Sequence, residues 1–167
     1  MPERDSKFQG GYPAVITSEG NSAVCYFPDG SACRYPLSAS ALLQKWCLLN
    51  GSSMQGRIDS FKMLTGARRK AGVLVNEISG PLYFPLYGFT NPRETWISSM
   101  YLKSYAEESV GTKLTFFGGF TYQTDCGYRL IQHQAERCSR FLKALEKPAL
   151  DLLGAGDIAG FLEAEIA

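Results

Sequence analysis

The chain has 167 residues, 45% of them hydrophobic and 20% charged, and its formal net charge is +1 at pH 7. That length allows one domain with a real core, and that balance of side chains excludes an intrinsically disordered chain. No apolar run approaches bilayer-spanning length, and the opening Met-Pro-Glu-Arg-Asp-Ser-Lys has acids and no apolar centre, so neither a membrane partner nor a secretory leader is expected and a cytoplasmic protein is the default.

Residues 12–18 and 23–28 read as strands parted by a Glu-Gly-Asn turn. Asp29-Gly30 is a hairpin signal, and Ala32–Tyr35 is the return strand. Ser38 or Ser40 can cap a helix running to about Leu49, where Asn50-Gly51 supplies a stop that tolerates positive φ. Residues 55–65 read as a second, short helix with Ile58, Phe61, Met63 and Leu64 on its buried side and Arg57 and Lys62 on the other. Residues 72–78 and 82–86 look like strands, kept short or at an edge by Pro81, Pro85 and Pro92. The alternation over 95–105 predicts one longer strand. Residues 113–117 and 120–123 flank Gly118-Gly119 as a hairpin.

Thr124 or Asp125 can cap a long helix to about Glu146, with Ile131, Ala135, Cys138, Leu142 and Leu145 as a narrow apolar stripe. Pro148 ends it. A Gly-Ala-Gly-Asp loop at 154–157 and a small acidic amphipathic helix over 158–166 follow. The order strands, helix, strands, helix predicts an α+β fold: a mostly antiparallel sheet with a mid-chain helical pair and a long C-terminal helix. The division expected is a domain over residues 1–147 and an acidic tail over 148–167.

The mean charge hides strong local asymmetry. Residues 57–70 carry five basic side chains and one acid, residues 126–147 five basic and two acidic, and residues 148–167 four acids and no base. The five cysteines are Cys25, Cys33, Cys47, Cys126 and Cys138. None forms a Cys-x-x-Cys. Cys25 and Cys33 suit facing positions of a hairpin, which leaves a disulfide or zinc reading open, but buried reduced thiols read better. No metal and no cofactor is expected.

No catalytic constellation is present. His133, the single histidine, sits inside the long helix, and no His-Glu-x-x-His, Gly-x-Ser-x-Gly or phosphate-loop pattern occurs. The chain does not read as an enzyme. The segment Gly51-Ser52-Ser53-Met54-Gln55-Gly56-Arg57 differs in kind. Small residues let a backbone approach a ligand closely, and hydroxyls and amides at a helix start suit phosphate oxygens. The same residues also fit a helix–helix corner whose serines cap the second helix, with Arg57 bridging to an acid. The run Arg68-Arg69-Lys70 is open in the same way, either a solvated loop or, with Arg57 and Lys62, one surface that neutralises phosphates.

With these residues in view, the chain resembles the ComK family of competence transcription factors. The resemblance runs over roughly residues 38–142. It is carried by Cys47, Gly51-Ser52-Ser53-x-x-Gly56-Arg57, Leu64-Thr65-Gly66, Lys70 and Val73, Phe84-Pro85, Trp96-Ile97-Ser98, a glycine turn at Gly118 or Gly119, and Gln134-x-x-Arg137. It implies a DNA-binding transcriptional activator that recognises paired A-rich and T-rich boxes through the minor groove and acts as a homo-oligomer on double-stranded DNA, with RNA polymerase as a further partner. On that reading Ser52, Ser53, Gly56, Arg57, Lys62, Arg68, Arg69 and Lys70 form the DNA-binding set, and Trp96 supports the core.

The chain departs from the family pattern in several places. Glu94 stands where a cysteine is expected, Leu86 replaces a threonine, and Ala71-Gly72 replaces a double proline. The Phe-Met-Leu-Tyr-Pro-Lys type segment that serves delivery by the adaptor MecA to ClpC is not found, which argues against that control. The alternative reading is an interaction module that has kept the fold and lost DNA binding. In that case the acidic tail could cover the basic segment. An enzyme or metal protein built on His133 and the cysteines is the third.

Overall fold

The computed structural model describes residues 11–88 and 91–146. The expected stop at Pro148, the 154–157 loop and the 158–166 helix lie outside these residues, as does the N-terminal segment. The described residues form an α+β fold, with three helices and two antiparallel sheets.

The larger sheet has six strands: β1 (Val15–Glu19), β2 (Ser22–Tyr26), β3 (Ala32–Tyr35), β4 (Val73–Leu74), β5 (Leu82–Pro85) and β6 (Thr95–Ser98), in the order β3-β2-β1-β6-β5-β4. Its centre is the pairing of β1 with β6, Val15 opposite Ile97, Ile16 opposite Trp96 and Thr17 opposite Thr95. Gly20, at φ 59, closes the β1–β2 turn, a conformation glycine adopts without steric cost. Cys25 and Cys33 do face each other across β2 and β3, and all five cysteines are free thiols.

Paired residues of an antiparallel ladder share a face. One face therefore carries Ile16, Cys25, Cys33, Tyr35 and Trp96, and the helix α1 (Ala39–Leu49) covers it. The Tyr35 and Trp46 rings meet edge to face at 6.5 Å, and the Ala39 amide donates to Ser18 Oγ. The opposite face carries Thr17, Val24, Tyr26 and Thr95. Phe120 stacks on Tyr26 there at 5.4 Å, and Tyr122 follows it. These two rings come from the second sheet, in the order β7 (Leu102–Glu107), β8 (Thr112–Phe116), β9 (Thr121–Thr124). Covered on both sides, β5 and β6 are buried along their whole lengths.

The remaining helices are α2 (Met54–Thr65) and α3 (Tyr128–Glu146). They pack on each other through Phe61 and Phe141, whose rings lie 4.9 Å apart. Among the described residues no helix is long and apolar enough to cross a membrane.

Five expectations need correction. The strand expected over 95–105 is two strands in two sheets. Ser99 turns the chain between them, its amide and hydroxyl both donating to Leu82 O, and the Tyr101 amide donates to Ser98 Oγ. Serines bond to nearby backbone in this way and so compete with strand pairing. The strand expected over 72–78 stops at Leu74, because Asn76 Oδ1 accepts from the Ile78 and Ser79 amides and starts a turn. The long helix begins at Tyr128. Thr124 Oγ1 accepts from the Cys126 amide, while Asp125 is held by Tyr87 and Arg93. On α3 the buried residues are Ile131, Gln134, Cys138 and Phe141, so the apolar stripe is rotated away from Ala135 and Leu142, and Leu145 is exposed. Met63 likewise projects from α2 to solvent.

Gly72 is fixed by packing. A β-carbon there would approach the Phe61 ring to 2.7 Å, so the double proline of the family pattern has no room in this chain. Gly72→Ala should lower stability by about 1–3 kcal/mol through overpacking, measurable as a fall in the urea midpoint at unchanged slope. The thiols give a second check. Burial pushes Cys138 up to about 12 and raises Cys47 as well, whereas Cys33 is half-buried. At pH 8 iodoacetamide should label Cys33 first, with Cys47 and Cys138 labelled only once urea unfolds the chain, as read by mass spectrometry.

Candidate nucleic-acid interface

The corner between α1 and α2 is built by its own polar groups. Ser38 caps α1, accepting from the Ala41 amide. Ser40 is instead turned to the buried Glu94, whose other oxygen accepts from Trp96 Nε1. The acid that replaces the expected cysteine therefore anchors the core tryptophan to α1. Asn50 closes α1: its side-chain nitrogen donates to Trp46 O and to Tyr12 Oη, and its oxygen accepts from Asn76 Nδ2 at 2.6 Å. Gly51 follows at φ 89.

Ser53 is the N-cap of α2, accepting from the Gly56 amide at 3.0 Å, and Gln44 of α1 accepts from the Met54 amide at 2.7 Å. Two of the amides at this helix start are thereby satisfied from within the protein. Ser52 Oγ donates to Ser53 O. A β-carbon on Gly56 would sit 3.0 Å from Ser52 Oγ and 3.3 Å from Ser53 Oγ, so glycine keeps the two hydroxyls in place.

Arg57 turns inward. Its side chain is 11% exposed, with Nη1 donating to Glu77 Oε1 at 2.9 Å and Nη2 to Asn50 O at 3.4 Å. It thus ties the corner to the turn that ends β4. Its charge also reaches Cys47, whose thiol burial raises more than the guanidinium lowers it.

The C-terminal end of α2 presents charge to solvent. Lys62 is exposed in its last turn, where a cation complements the helix dipole. Gly66, at φ 74, stops the helix, its amide donating to Lys62 O. Arg68 and Arg69 follow, both exposed. Lys70 has the left-handed φ of 50, and its Nζ donates to Leu86 O at 3.3 Å. Of the eight residues singled out in the sequence, Lys62, Arg68 and Arg69 are therefore the cations exposed to solvent. Ser52, Ser53, Gly56 and Arg57 build the corner, and Lys70 braces the turn against the end of β5.

Sequence reasoning gave α3 no part in this site. Gln134 Nε2 donates to Lys70 O at 3.1 Å and to Pro85 O at 2.9 Å, and Arg137 Nη1 donates to Arg69 O at 3.3 Å. The two basic segments of the sequence therefore meet in space. The available signal was a glutamine on the face of α3 that faces the core, three residues before an arginine.

Comparison with known proteins follows the same residues. No curated protein and no solved structure matches the chain. The family model described as ComK protein matches residues 14–148, which takes in both sheets and all three helices. At the level of that family the function is that of a competence-type transcription factor, and the chain belongs to the ComK family.

Proposed function

We propose that this protein is a sequence-specific DNA-binding regulator, a competence-type activator that recognises A-rich and T-rich boxes through the minor groove. The observation that carries the reading is the exposure of Lys62, in the last turn of α2, and of Arg68 and Arg69, on the braced turn that follows, in a ComK-family chain. Cations so placed neutralise phosphates and release counterions, and an arginine on a projecting turn fits the narrow, strongly negative minor groove of A·T tracts. The reading takes residues 1–147 as the DNA-binding domain, acting in the cytoplasm as a homo-oligomer on DNA, with RNA polymerase as a further partner. Ser52, Ser53, Gly56, Arg57 and Lys70 then support the surface by holding the corner and turn that present it.

The test is fluorescence anisotropy with two duplexes of equal length, one with paired A-tract and T-tract boxes and one GC-rich, over a salt series. Preferential, salt-sensitive binding to the first is expected; equal binding to both would remove the sequence-specific reading. Replacing Lys62, Arg68 or Arg69 singly by alanine should reduce the log–log salt slope by about 0.9 each, with the melting curve unchanged.

Arg57 separates support from contact. Because its guanidinium is buried while Glu77 is 74% exposed, Arg57→Met should cost about 1–2 kcal/mol, and Glu77→Gln less than about 1 kcal/mol, in urea unfolding. If the stability of Arg57→Met equals that of wild type while DNA binding is lost, Arg57 is a direct contact.

The interaction-module reading is favoured by a separate observation. Leu49 and Ile78 are 83% and 98% exposed, Leu49 on the rim of an apolar groove with Tyr35, Leu37 and Trp46, and Ile78 on the rim of a mixed groove that also holds Asn76 and Glu77. Failure to bind either duplex would make that reading the better one.

A further inference from the structure

The Arg68–Lys70 turn is fastened to α3. Gln134 is 2% exposed, so its amide donors have no solvent to turn to, and both go to main-chain oxygens, Lys70 O and Pro85 O. Arg137 Nη1 donates to Arg69 O and, at 3.0 Å, to Gln134 Oε1. One buried amide and one guanidinium thus join the turn, the end of β5 and α3. The clamp also holds Lys70 at a φ that a residue with a side chain rarely adopts.

The helix brings charge of its own. Arg140 lies one turn after Arg137 on the same flank of α3 and is exposed. The neighbouring Phe141 packs on Phe61 of α2, the residue before Lys62. Among the described residues no carboxylate lies within ion-pair distance of Lys62, Arg68, Arg69, Arg137 or Arg140. Glu136 stands one turn before Arg140 and is near enough to Tyr105 of β7 to help raise its phenol, after burial and Tyr128. Cations from α2, the turn and α3 are therefore linked through the clamp and the Phe61–Phe141 contact, and among the described residues none of them is held in an ion pair.

We propose that the clamp makes the basic turn and α3 a single phosphate-binding surface, in which Arg140 contacts DNA phosphate and Gln134 is the positioning residue that aligns Arg68 and Arg69. This rests on the DNA-binding reading above and extends the site to α3, which the sequence marked as basic but did not place in the site. The physical reason is preorganisation. A turn already fixed in its bound shape loses less freedom on binding than a mobile one, and so keeps more of each contact.

Two variants separate charge from alignment. Arg140→Gln removes one cation and leaves the clamp intact. Gln134→Leu removes the clamp's donors and leaves the net charge intact. Both are compared with Arg69→Ala by anisotropy on the A/T-box duplex over a salt series, and by hydrogen exchange of the free protein.

Arg140→Gln should reduce the log–log salt slope by about 0.9 and weaken binding severalfold at low salt. Gln134→Leu should weaken binding by about tenfold, on the scale of one lost preorganised contact, with faster exchange confined to the amides of residues 67–73. If Gln134→Leu does not fold, Arg137→Lys serves in its place. It keeps the charge and loses the planar fork, and it too should weaken binding and loosen the turn.

A wild-type slope for Arg140→Gln alongside a reduced slope for Arg69→Ala would put α3 outside the surface and leave the DNA-binding reading standing. A loosened turn with unchanged affinity would overturn the positioning role of Gln134. Wild-type binding by Arg69→Ala and Arg140→Gln alike would overturn the DNA assignment of this surface.

Discussion

The pairing of β1 with β6 is the constraint on which the rest depends. Three residue pairs join strands that are about eighty residues apart in sequence, and Thr17 and Thr95 add a side-chain hydrogen bond at 2.9 Å. A contact of that range is costly in loop-closure entropy, so the packing it makes possible has to offset it. It does so by placing Ile16, Trp96 and Ile97 in the middle of a sheet that is covered on both faces. Once β1 and β6 are adjacent, α1 has one face to cover and the Phe120–Tyr122 edge of the second sheet has the other. The Glu94 carboxylate, bonded to both Trp96 and Ser40, then fixes where α1 lies.

The corner motif acquires its meaning from that placement. Ser52, Ser53 and Gly56 looked as suited to phosphate as to capping, and the structure shows what their polar groups already do. Ser53 caps α2, Gln44 satisfies a second amide, and Gly56 leaves space for both hydroxyls. Arg57 is the keystone of the same unit. An arginine in the first turn of a helix is unfavourable towards the dipole unless its charge is offset, and Glu77 supplies that offset from a different element. A motif dense in small and polar residues is thus explained by a tight helix–helix junction, and the charge it sets up emerges at the other end of α2.

What the sequence made legible follows physical range. Hairpins with turn residues were readable: Asp29-Gly30, Gly118-Gly119 and the first two helices fall where their punctuation puts them. The break at Ser98–Tyr101 was not, because apolar alternation continues through it while the serines redirect the backbone. Nor was the true face of α3. A stripe through Ala135 and Leu142 is the better apolar pattern, but Gln134 is drawn inward by two carbonyl oxygens that no periodicity reveals. For the interface, the sequence located the basic segment but could not divide it. Lys62, Arg68 and Arg69 point out while Arg57 and Lys70 point in, and that division depends on Glu77 and Leu86, partners distant in the chain.

The same reasoning resolves the low net charge. A formal +1 spread evenly would make a poor ligand for a polyanion, but binding depends on the potential where the phosphates lie. In sequence the two basic segments are separated by more than fifty residues that contain both signs of charge. In the fold, Gln134 and Arg137 fasten one to the other, while Glu77 is spent on Arg57 and Asp125 on Arg93 and Tyr87. Several acids that lower the total are thus already paired away from the exposed cations. Net charge averages over the surface, whereas the fold chooses which charges stand near one another, and at the Arg68–Lys70 turn it joins two basic segments.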